Sequence, residues 1–356
     1  MDFHIDDSTR ELCTLVRDMG EQLVTDDSLR ELDARFGPGT ESGGGGDRST
    51  ARFHTRFWDE LVRAGVPAAL APESLGGAGL GVVGEALVMR ELGRVLAPVP
   101  LSAAVRASWL LEAAGLTDHA TAVAEGREIA AVSDGNAPEV DWAPIADVIV
   151  QTSPESGQVD VSDRSGVTVE RTVPVDFSCA GLVTGPAGES VALPGAAAEF
   201  DALRRRVHLA AYQWGVIEAA LERTAAYAST RHQFGRPIGS FQAVAARLAD
   251  ASIDVDAVRL STLRAAYELD SCDGEPGATT RAAVASAHFW ACDAGHRLAH
   301  TAVHVHGGVG LDRSEPAHRY FLAAKAGEFR LGGATRQLID LGAVLATHGD
   351  PWEYSA

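Results

Sequence analysis

The sequence predicts a mostly α-helical fold with a small β domain set in its middle, and three observations predict it. Over the last 150 or so residues, Leu203, Val207, Ala210, Trp214, Ile217 and Leu221 alternate steps of four and three, the apolar seam of a long packed helix. Between about residues 121 and 199 the period drops to two, as strands require. Before residue 117 the period is helical again. The predicted parts are therefore an N-terminal helical domain over 1–117, an abbreviated middle β domain over 118–200 and a C-terminal four-helix bundle over 201–356.

In the first part, Leu12, Leu15, Val16, Met19 and Leu23 recur at helical spacing, and helical texture returns at 57–61 and 84–96. A surface loop is expected at 37–47, where Gly43, Gly44, Gly45 and Gly46 stand together. No Lys-Ser or Lys-Thr follows them, which excludes a phosphate-binding P-loop. Gly77-Ala78-Gly79 follows a helix rather than a strand, so it does not make a dinucleotide fingerprint. In the middle part, 129–132 and 148–150 are short apolar runs, while 158–162 and 167–175 alternate. Turn clusters at 154–157 and 185–188 separate four to six short strands, enough for a small sheet or barrel. In the last part, Phe241, Val244, Leu248, Ala251, Val255 and Val258 repeat the seam, and further helices are expected at 281–305 and 333–346.

Charge narrows the function. Against 49 acidic residues stand 30 Lys and Arg, a net −19 that repels nucleic acid and anionic membranes. A phosphate ligand would need local arginines or helix N-termini to reverse that field. Cys13, Cys179, Cys272 and Cys292 are scattered, without the spacing of a zinc site or disulfide framework. The start is acidic where a signal peptide would be basic and apolar, and no apolar run nears the roughly 20 residues of a spanning helix. A cytoplasmic protein is expected.

Two segments could carry chemistry. One is Arg231-His232-Gln233-Phe234-Gly235-Arg236-Pro237-Ile238-Gly239-Ser240-Phe241-Gln242, a turn between two long helices. Ser240 is placed to cap the second helix, and its N-terminus with Arg231 would favour a phosphate. The plainer alternative is a helix-helix turn with a solvated arginine. The other is His304-Val305-His306-Gly307-Gly308-Val309-Gly310, whose glycines suit either a cofactor approaching the backbone or a helix C-cap. His296, His300 and His304 share a helical face and raise the question of zinc. No Glu follows the first histidine as in metalloproteases, and a tetrahedral ligand set is missing, so no metal is expected.

Together these segments resemble the acyl-CoA dehydrogenase family. Arg-x-x-Phe-Gly-x-Pro-Ile-x-x-Phe-Gln followed by Leu248-Ala249-Asp250 is similar to its signature, and the glycine turn is similar to its Gln-x-x-Gly-Gly-x-Gly, with His304 in place of Gln. Trp58-Asp59-Glu60-Leu61, Pro72-Glu73, Gly76-Gly77 and Glu91-Leu92-Gly93-Arg94 extend the likeness to the N-terminal part. The resemblance implies FAD as cofactor, with Arg231, Gln233, Phe234, Gln242, His304, Gly307 and Gly308 on the adenosine side of a flavin shared across a subunit interface. It further implies an acyl-CoA substrate and an acceptor such as electron-transfer flavoprotein.

Two departures from the family pattern shape the expectation. The β region lacks the Trp-Ile element that seats the flavin ring. The catalytic Glu is also missing: Gly332 of Leu331-Gly332-Gly333-Ala334-Thr335 stands at one family position, and Arg205 aligns with the other. Glu328 and Asp201, each about a turn away, are the carboxylates that could substitute. The pattern resembles short bacterial subunits that pair with a catalytic homologue as α2β2 heterotetramers acting on steroid side-chain CoA thioesters. The alternatives are a self-sufficient homo-oligomer using Glu328 or Asp201, and a non-catalytic scaffold of the same fold.

Overall fold

A computed structural model describes residues 5–36, 51–135, 139–153, 156–185, 188–330 and 332–351. The glycine run expected in a loop at 37–47 lies outside these. The N-terminal region holds α1 (Asp7–Leu23), α2 (Asp26–Phe36), α3 (Thr55–Arg63), the short α4 (Val66–Ala69), α5 (Gly81–Arg94), α6 (Leu101–Ala113) and α7 (Thr117–Ala124). Local side-chain caps start three of them. At α2, Thr25 Oγ1 accepts from the Ser28 N–H at 3.2 Å. Asp6 accepts from the Thr9 N–H at 2.8 Å, and His54 Nδ1 from the Phe57 N–H at 3.2 Å. Phe57, Trp58, Leu61, Leu101, Leu110 and Leu111 form its fully buried centre.

Among the described residues seven strands follow: β1 (Ala130–Asp134), β2 (Glu139–Asp141), β3 (Val148–Ser153), β4 (Gln158–Asp163), β5 (Thr168–Arg171), β6 (Ala180–Thr184) and β7 (Glu189–Ala192). They make two sheets rather than one, in orders β1-β3-β4-β7 and β2-β6-β5. The β1–β3 pair is parallel, with Ala131 opposite Ile149, and the other pairs of these two sheets are antiparallel. A second small core of Ala131, Val140, Ala143, Ala146 and Ile149 forms on one side of β1 and β3. The alternating run at 167–175 pairs only as far as Arg171, and Val173 and Val175 are left exposed.

The C-terminal region is α8 (Ala197–Thr230), the two-residue strands β8 (His232–Gln233) and β9 (Arg236–Pro237), α9 (Gln242–Asp270), α10 (Ala278–His306), α11 (Ala317–Arg330) and α12 (Gly333–His348). Helices α8, α9 and α10 pack on one another, and the remaining flank of α10 is covered by α11 and α12 in tandem. Helix α11 was not anticipated, because its apolar residues are interrupted by His318, Arg319 and Lys325. The anticipated cap at Ser240 is a correction. Helix α9 begins after Phe241 without a side-chain cap, and Ser240 Oγ instead donates to the Pro237 carbonyl at 2.7 Å.

Two devices lock the three regions together. Consecutive residues on a helix point about 100° apart, so Arg204, Arg205 and Arg206 of α8 reach three different elements. Arg204 pairs with Glu85 of α5, Arg205 with Asp134 of β1 at 3.0 Å, and Arg206 with Asp340 of α12 at 3.5 Å. The second device is the close crossing of α5 and α8. A side-chain carbon on Gly93 would lie 2.1 Å from the Tyr212 carbonyl oxygen, and one on Gly215 would lie 2.0 Å from that of Arg90. Replacing either glycine with alanine is therefore expected to lower stability by about 1–3 kcal/mol through overpacking, despite alanine's better helix propensity. Urea denaturation checks this: midpoints equal to the wild type would show that the crossing is looser than described.

Candidate functional site

Where α5, α6, α8 and α11 meet the β domain, they enclose a cavity of about 150 Å³. Its apolar wall includes Met89, Leu92, Val132 and Trp142, and Trp142 packs edge-on against Phe53 at 6.1 Å. Its polar wall is dominated by arginines. Arg106 of α6 spans two carboxylates, bonding Asp201 through Nε at 3.1 Å and Nη2 at 2.6 Å, and Asp134 through Nη2 at 2.6 Å. Arg205 also lines the cavity and takes the other oxygen of Asp134 at 3.0 Å. Burial raises the Asp134 pKa, but Arg106 and Arg205 outweigh burial and hold it below the usual range. At the end of α11, Arg330 pairs with Asp141 at 3.2 Å and Asp176 at 3.4 Å and donates to Ser178. The cavity is thus crossed by a lattice in which its carboxylates, Asp141 and Asp176, are engaged by a guanidinium. A second cavity of about 280 Å³ adjoins it, sharing Arg52, Asp176, Tyr212 and Ala323.

Neither substitute carboxylate opens onto this cavity. Asp201 is fully buried with both oxygens held by Arg106. Glu328 points away to α10, against Lys325 and His296 at 2.5 and 3.1 Å. Lys325 and His296 outweigh a partial burial and hold its pKa below normal. Gly332, which aligns by resemblance with one position expected for the base, takes φ 79° as the cap of α12.

The segments singled out from sequence lie at the far end of the bundle. Helix α8 ends at Thr230, and β8 and β9 form a hairpin around Phe234. Phe234 is 93% exposed at φ 52°, a conformation an aromatic residue seldom takes. Its ring meets Phe241 edge-on at 6.2 Å, and Arg236 sits 4.2 Å over Phe241. Gln233 donates to the His232 carbonyl at 2.8 Å. Arg231 and Gln242 are exposed, and among the described residues the Arg231 guanidinium has no hydrogen bond or ion pair. The glycine turn reaches the same end: His306 stacks on Tyr227, one turn before α8 stops, at 4.4 Å. His304, Gly307 and Gly308 are exposed there. No hydrogen bond or ring contact joins Arg231, Phe234 or Gln242 to His304 among the described residues. The hairpin and the turn form two exposed surfaces at one end rather than a closed pocket.

The histidine face holds no ligand set. His296 and His300 lie 4.6 Å apart, but the described residues contain no group of three or more metal-ligating side chains.

Models of two domains match the sequence: the acyl-CoA dehydrogenase N-terminal domain over 46–122 and the acyl-CoA dehydrogenase C-terminal domain over 197–345. Acyl-CoA dehydrogenase FadE27 of Mycobacterium tuberculosis is 37% identical, covering 97% of this chain and 99% of that protein. The chain belongs to the acyl-CoA dehydrogenase family. Members of this family are flavoprotein oxidoreductases acting on the CH–CH bond of acyl-CoA. Among solved structures, the ChsE4-ChsE5 complex from Mycobacterium tuberculosis superposes with TM-score 0.83 at 34% identity, over 97% of this chain and 99% of that one. The Tcur3481-Tcur3483 steroid acyl-CoA dehydrogenase follows, with TM-score 0.82 at 31% identity over the same shares. Butyryl-CoA dehydrogenase from Megasphaera elsdenii, with TM-score 0.79 at 21% identity, shares the fold. No helix among the described residues is long and apolar enough to cross a membrane.

Proposed function

We propose that this chain is one subunit of an FAD-dependent acyl-CoA dehydrogenase that desaturates an acyl-CoA thioester between its α and β carbons. In this reading it contributes the adenosine side of an interface FAD site, while a homologous partner in an α2β2 assembly supplies the ring seat and the catalytic Glu. Steroid side-chain thioesters are the proposed substrate class, since one structural neighbour is the ChsE4-ChsE5 complex and another is the Tcur3481-Tcur3483 steroid acyl-CoA dehydrogenase. Electron-transfer flavoprotein is the proposed acceptor.

The observation that carries the reading is the contrast between the two ends of the bundle. At the cavity, the residue that aligns by resemblance with one family position for the base is Arg205, and a guanidinium cannot accept a proton. At the hairpin, the groups suited to a phosphate and an adenine face outward. Bound FAD supplies the hydride acceptor. Arg231 would pair with its phosphates, Phe234 would cover an apolar face, and Gln233, Gln242 and His304 would offer hydrogen bonds. Gly308 fits as well. Its φ is not positive, and a side chain there would meet nothing within 4 Å in this chain. The backbone at Gly308 is open to close approach by a ligand. Arg231→Ala in the assembled complex is expected to lower flavin content per tetramer at least several-fold, read from the visible spectrum after gel filtration. Unchanged flavin content would remove Arg231 from the site.

The self-sufficient alternative requires a base in this chain. Gly332→Glu, which restores the family residue, is expected to give the isolated chain no measurable turnover and to lower its stability by about 1–2 kcal/mol. Room is not the obstacle, because the nearest atoms to an added carbon are 3.6 Å away. The left-handed backbone is, and a non-glycine residue is strained there. A gain in acyl-CoA oxidation above about tenfold would show instead that one missing carboxylate was the whole deficit.

A further inference from the structure

Ser102, His208 and Glu85 form a hydrogen-bonded line that the dehydrogenase reading leaves unused. Ser102 is the second residue of α6, His208 lies midway along the buried face of α8, and Glu85 is on α5. Ser102 Oγ is 2.9 Å from His208 Nδ1, and His208 Nε2 is 2.8 Å from Glu85 Oε2. Ser102 and His208 both line the cavity of about 150 Å³, while Glu85 is 4% exposed behind them.

The protons in this line can be assigned. Burial raises the Glu85 pKa, but Arg204 and His208 outweigh it and bring it down to about 2. Glu85 is therefore ionised and can only accept, so Nε2 of His208 carries a proton. Burial, partly opposed by Glu85, holds the His208 pKa below normal. The ring is then neutral at pH 7, and Nδ1 presents a lone pair. The Ser102 hydroxyl must donate to it. A serine donating to an imidazole that a buried carboxylate orients is the arrangement that activates a serine nucleophile on unrelated folds. The first turn of α6 adds N–H groups without intrahelical acceptors beside Ser102, where a tetrahedral oxyanion would form.

We propose that Ser102 is an acyl-accepting nucleophile, making this cavity a hydrolytic site for small esters or short-chain acyl thioesters. Oγ attacks the carbonyl carbon while its proton passes to His208 Nδ1. The C–O or C–S bond breaks, and the departing oxygen or sulfur takes that proton. Water then attacks the acyl-serine, its proton passes through Nδ1 back to Oγ, and a carboxylic acid is released with no change of oxidation state. The volume admits only a short acyl group, well below the roughly 300 Å³ of an ordinary ligand pocket. Arg204 shares the Glu85 carboxylate, so Glu85 orients the ring more than it raises its basicity, and turnover is slow.

The test is independent of flavin and of any partner subunit. The purified full-length chain is incubated with p-nitrophenyl acetate or a small alkyl fluorophosphonate, then digested and mapped by mass spectrometry. The expected result is a single adduct on Ser102 and release of p-nitrophenol at least tenfold faster than with Ser102→Ala. Ser102→Cys, probed with iodoacetamide, reports access separately. A reachable cysteine with no adduct on the wild-type serine would mean a purely structural hydrogen bond, and an unreachable one would mean a closed cavity. Either result overturns the proposal.

Discussion

Replacing Glu85 with alanine is expected to lower folding stability by about 3–5 kcal/mol, the range for removing one member of a buried ion pair. Arg204 is 3% exposed, and Glu85 is the partner of both its Nε and its Nη2, while its Nη1 already lacks one. The substitution would leave a full positive charge in the core with no carboxylate to offset its desolvation and only the Trp109 ring, 5.7 Å away, beside it. It would also strip His208 of the acceptor for Nε2. Against a typical total of about 5–15 kcal/mol, such a loss leaves the chain marginal. Replacing Glu85 and Arg204 together with apolar residues of similar volume should be far milder, because no charge is then orphaned. The dependence on pH has a definite sign. The folded-state pKa of Glu85 lies below its ordinary 4.5, at about 2, so its stabilisation is present above pH 4.5 and is withdrawn as pH falls toward 2. Buried His288 adds to acid loss earlier. Burial, reinforced by Arg206, lowers its pKa from 6.5 to about 3, so protonation favours the unfolded chain from about pH 6.5 downward. Melting temperatures of the wild type and of Glu85→Gln should therefore converge below pH 4.5. A constant gap down to pH 3 would mean that the carboxylate is not what holds Arg204.

Much of the fold was legible because it is written in periodicity. The seam from Leu203 to Leu221 is buried along α8, and the alternation at 158–162 became β4. What periodicity could not give was pairing. The two sheets are separated by which strand meets which, and a parallel β1–β3 contact leaves no local trace. Helix α11 escaped because Arg319, which breaks its apolar pattern, is turned inward to a partner from distant sequence, Asp33 at 2.5 Å. The same blindness applies to the cavity. Arg106 and Glu85 were visible only as single charges in otherwise apolar helices, Leu101-Ser102-Ala103-Ala104-Val105-Arg106-Ala107 and Val82-Val83-Gly84-Glu85-Ala86-Leu87. A lone charge in an apolar stretch is the signal that could have found them, since burial demands a partner. Asp201 was noticed as a possible base, but the sequence could not show that Arg106 holds both of its oxygens. The hairpin and glycine turn, in contrast, were found through family resemblance. Their exposed side chains follow no core pattern that composition could reveal.

The central claim is that this chain is half of a working site, and turnover measures it most directly. The chain is purified alone and co-purified with the proposed homologous partner subunit, and oxidation of an acyl-CoA substrate is followed with an artificial electron acceptor. General base catalysis by a positioned group is worth roughly 10²–10⁴ in rate, and in the proposed reading both that group and the seat for the flavin ring belong to the partner. The account predicts turnover by the complex at least about 10³-fold above the isolated chain, with flavin retained only by the complex. Comparable turnover by the chain alone, abolished by Glu328→Gln or Asp201→Asn, would contradict it and make this subunit a complete enzyme.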